Sequence, residues 1–85
     1  MTPHELRSAR KQLGLSQAGM SMLLRLPPKN GALQVRRMEA GTRPIRPQAE
    51  ALILAALSSA KARETLGVAR IARRHRWAQA GRPPA

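Results

Sequence analysis

The 85-residue chain predicts an all-α fold: four core helices, with one or two more after them. Three observations lead there. The length allows a single hydrophobic core. Apolar residues recur at three- and four-residue spacing in several stretches. Residues that start or stop helices separate those stretches.

Thr2-Pro3-His4-Glu5 opens the first helix, because Thr2 can cap, Pro3 suits the first helical position and Glu5 can reach back as a capping box. Leu6, Ala9, Arg10 and Leu13 continue it over residues 3–13, and Gly14 suits the position past its end. Ser16 caps a second helix over 17–25, with Ala18, Met20, Leu23 and Leu24 as apolar positions. Pro27-Pro28-Lys29-Asn30-Gly31 then breaks the pattern, since two prolines and a glycine cannot prolong a helix. Residues 32–40 resume it, with Val35 and Met38 inward and Gln34, Arg36 and Arg37 outward, and Gly41 ends it. After an extended stretch, Pro47 opens a fourth helix to residue 57 through Ala49, Leu52, Ile53 and Ala56. The wide apolar side of that helix leaves parts of Leu54 and Leu57 for a dimer surface. These elements make residues 2–57 the main domain. Residues 58–80 read as a basic helical extension, with helices over 60–66 and 68–80, for dimerisation or phosphate contact. Residues 81–85 read as a disordered tail.

Sixteen Lys and Arg face four acidic residues, a net charge of +12 that calls for a polyanionic partner. Thirteen of the sixteen are Arg, whose planar fork suits phosphate and guanine edges. A high-GC genome explains part of the Arg preference and none of the missing acid. The single aromatic residue, Trp77, cannot furnish the stacking platforms of single-strand and RNA readers, so duplex DNA is favoured. Without Cys there are no disulfides or thiolate metal sites. No run approaches a membrane span, and MTPHEL is no signal peptide, so a cytoplasmic, DNA-associated protein is expected. Glu5, Glu39, Glu50, Glu64, His4 and His75 form no catalytic or metal-binding spacing; neither enzyme activity nor a cofactor is expected.

Leu13-Gly14-Leu15-Ser16-Gln17, followed by Val35-Arg36-Arg37-Met38-Glu39-Ala40-Gly41-Thr42-Arg43-Pro44-Ile45, resembles the lambda-repressor-like or XRE-type helix-turn-helix regulators over residues 2–57. In that family an LSQ string opens the helix before the turn, and an E-x-G string closes the recognition helix. Two features depart from the common pattern. The turn is lengthened by Pro27-Pro28-Lys29-Asn30, so that it decides which of Lys29, Asn30, Leu33 and Gln34 reaches a base. Met38 stands where Trp or Ile is usual, with adequate volume.

The resemblance implies a transcriptional regulator, most simply a repressor. It would act as a homodimer on an inverted-repeat operator, with its own promoter among the candidates. It implies that Gln17 meets phosphate or base at a helix start, and that Gln34, Arg36 and Arg37 face the major groove. Arg37 is the preferred base reader and Arg36 the phosphate contact. Lys29 and Asn30 reach a groove edge from the turn, and Thr42, Arg43 and Arg46 clamp phosphate. Arg10 and Glu39 are expected to form a structural ion pair. A DNA-binding antitoxin with a cognate protein partner, and a charge-driven nucleic-acid binder without sequence preference, are the alternatives.

Overall fold

Thr2 sets the first helix of the computed structural model, which describes residues 1–75. Its hydroxyl oxygen accepts from the Glu5 N–H at 3.1 Å, and Glu5 Oε1 accepts from the Thr2 N–H at 2.8 Å, so the capping box is complete. The Thr2 N–H, and after it the Thr2 hydroxyl, hold the Glu5 carboxyl below its usual pKa. The described residues form six helices in order: α1 Pro3–Gln12, α2 Gln17–Leu23, α3 Gly31–Ala40, α4 Pro47–Ser58, α5 Ala60–Leu66 and α6 Val68–Arg74. Among the described residues there is no strand, and no helix is long and apolar enough to cross a membrane.

The core runs through five of the helices. Leu6 and Ala9 from α1, Leu15 from the first connection, Met20 and Leu23 from α2, Val35 and Met38 from α3, Ile53 and Ala56 from α4, and Val68 and Ile71 from α6 form one buried cluster. Val35 and Met38 therefore face inward, as their spacing predicts. Leu54 is 49 % exposed, whereas Leu57 packs against the core.

Two expectations for the chain after residue 57 change. Residues 60–74 are not an appendage, because Val68 and Ile71, within the stretch read as an extension for dimerisation or phosphate contact, lie inside the chain's own core. Arg63 is likewise structural: its Nη1 donates to the carbonyls of Ala56 at 2.8 Å and Leu57 at 3.3 Å, satisfying the end of α4. α6 ends at Arg74; residues 76–80 of the expected 68–80 helix and the 81–85 tail lie outside the described residues.

The end of α6 closes onto the beginning of α2. The Ser16 N–H donates to the His75 carbonyl at 2.7 Å, and a Cβ at Gly19 would meet that oxygen at 2.7 Å. Only glycine lets the two backbones approach so closely.

Candidate nucleic-acid interface

α3 is anchored by its inner side. Arg10 Nε donates to Glu39 Oε2 at 2.6 Å and Arg10 Nη2 to Oε1 at 3.2 Å, while Nη1 donates to the Leu15 carbonyl at 3.0 Å. Both side chains are about 94 % buried, so this two-pronged pair ties α1, the α1–α2 connection and α3 together. At the other end of α3, a Cβ on Gly31 would fall 2.7 Å from the Ser21 Cβ, so α3 lies close against α2 there. Gly31, read as part of a turn, is thus the first residue of the helix.

The turn before α3 also differs from expectation. α2 stops at Leu23, two residues early, because Arg25 adopts φ 60. Its N–H donates to the Met22 carbonyl and that of Leu26 to the Ser21 carbonyl, at 3.1 and 2.9 Å, the double bond of a left-handed helix stop usually built on glycine. In the sequence nothing but Pro27, two residues on, marks this stop.

Successive helical residues turn about 100°, so Val35, Met38 and Gly31 define one side of α3, and Asn30, Leu33, Arg36, Arg37 and Ala40 the opposite one, with Gln34 at its border. The burial pattern agrees: Asn30, Arg36 and Arg37 are exposed, Leu33 is 43 % exposed and Gln34 is half-buried. Gln34 Nε2 donates to Asn30 Oδ1 at 3.0 Å. Asn30 therefore orients Gln34 and does not cap the helix with its own side chain. That bond leaves Gln34 one amide hydrogen and its carbonyl oxygen, the donor and acceptor that an adenine edge requires.

The remaining candidates divide. Lys29 lies exposed in the turn, adjoining the α3 start. Gln17 turns inward, its Nε2 3.5 Å from Glu39 Oε1, and so supports the ion pair more directly than it offers an outward contact. Thr42 donates its hydroxyl to the Arg37 carbonyl at 3.2 Å and closes the end of α3. Arg43 and Arg46 follow it and, with Leu24, Met38 and Leu52, border an apolar cavity of about 150 Å³ between α3 and α4. Arg46 is exposed and Arg43 half-buried. Among the described residues, no three His, Cys, Asp or Glu side chains come together to hold a metal ion.

Compared with protein-family models, curated proteins and solved structures, the chain gives no match.

Proposed function

We propose that this protein is a sequence-specific duplex-DNA-binding regulator of the lambda-repressor-like helix-turn-helix type, with α2 and α3 as the two helices of the motif. One observation carries the reading: α3 exposes Asn30, Arg36 and Arg37 in one arc, bordered by Gln34, while its opposite side is locked to the core through Glu39 and Gly31. A rigid helix with an outward polar and cationic edge fits the major groove, where each good bidentate pair contributes about 1–3 kcal/mol of discrimination. Arg43 and Arg46, in the connection that leads from that helix to α4, suit phosphate. The chain's charge of +12 supplies the long-range attraction.

The regulator acts as a repressor, as a homodimer whose two recognition helices lie roughly 34–36 Å apart along the duplex. Its DNA is bound in the cytoplasm. The exposed Leu54 on α4 offers the dimer an apolar contact.

Competition binding tests the reading. A duplex from upstream of the protein's own gene, located by protection mapping, should outcompete random duplex by at least about 10³-fold at physiological salt. Equal affinity would leave only the charge-driven binder, and stoichiometric co-purification of a second protein would favour the antitoxin.

A further inference from the structure

Leu33 is the large apolar side chain that α3 exposes. It occupies the middle of the outward arc, flanked by Arg37 about 40° to one side and Arg36 about 60° to the other, and 43 % of its surface is exposed. The core does not require it, since α3 packs through Gly31, Val35 and Met38. Helix formation does not require it either, because Ala, Lys, Gln and Arg serve as well at an exposed position.

An apolar group between two guanidinium groups suits a partner that is anionic yet presents one apolar spot between its acceptors. Duplex DNA has such a spot in the major groove: the 5-methyl of thymine, beside the N7 and O6 acceptors of neighbouring purines. We infer that Leu33 packs on a thymine methyl, making it a specificity-determining residue of the α3 surface. The inference rests on the DNA-binding reading above and narrows it. The bound site contains a thymine that is recognised by its methyl group and not by a hydrogen bond. Gln34, aimed by Asn30, stands one residue along to take an adenine edge.

The experiment begins with selection of a preferred duplex from a randomised pool. Each thymine of that duplex is then replaced, singly, by uracil, which deletes the methyl and leaves every hydrogen-bonding group in place. At one position in each half-site the replacement should weaken binding roughly three- to tenfold, the effect of a buried methyl. Leu33→Ala should bind the thymine and uracil duplexes equally. Placing 5-methylcytosine opposite guanine at that position should weaken wild-type binding less than unmethylated cytosine does. If uracil is neutral everywhere, or if its penalty persists unchanged in Leu33→Ala, Leu33 reads no methyl, although the selected site would still uphold the DNA-binding reading. If no preferred duplex emerges, that reading fails and this inference with it.

Discussion

Arg10 and Glu39 are twenty-nine residues apart and contribute more to the position of α3 than any other pair of charges. A buried pair with good geometry barely repays its own desolvation, but removing one partner strands the other. Glu39→Gln should therefore lose about 3–5 kcal/mol in urea unfolding, a large share of the roughly 5–15 kcal/mol expected of a domain. An unchanged midpoint would mean that the pair is dispensable. On the outward side the residues separate by task. Arg37→Ala should relax preference at one or two base pairs while other positions hold. Arg43→Ala should weaken all duplexes alike and make the log–log salt slope about 0.9 shallower. The reverse pattern in titrations across salt would exchange reader and clamp. At this scale the sequence was informative where two residues had to meet, as with Arg10 and Glu39, and where a residue had to face out, as with Arg36 and Arg37. It did not reveal the bonds from Gln17 to Glu39 and from Thr42 to the Arg37 carbonyl, because short polar side chains look alike whether they face solvent or cap a neighbour.

The helices themselves were legible because their starts and stops carry specific chemistry: Thr2 with Glu5, Ser16, Pro47, and glycines at 14 and 41 with left-handed φ. The exception is instructive. Arg25 performs a glycine's conformation at the end of α2, where a side chain costs about 1–2 kcal/mol. Arg25→Gly relieves that cost and gives back about 0.5–1 kcal/mol as chain entropy in the unfolded state. A net gain of about 0.5–1 kcal/mol should appear in the denaturation midpoint; a loss would show that the Arg25 side chain makes contacts worth more than the strain. The variant should leave the α2–α3 geometry intact, since both turn hydrogen bonds use backbone groups.

For the molecule as a whole, length foretold one core and charge calls for a polyanionic partner, but neither says where the core ends. The shift towards basic residues after Ser58 looked like a boundary because charge dominates that stretch, and two apolar residues, Val68 and Ile71, were enough to bring it inside. Ile71→Ala should destabilise the entire domain by about 2–5 kcal/mol in a single cooperative transition. A separate early transition, or none, would restore the boundary. The hydrogen bond from Ser16 to His75 has a consequence in time as well as in space. A ribosome adds roughly 5–20 residues per second, so fifty-nine residues separate the two partners by about 3–12 s of synthesis. Until α6 has been made, the side of α2 that it covers is open to water and to other chains.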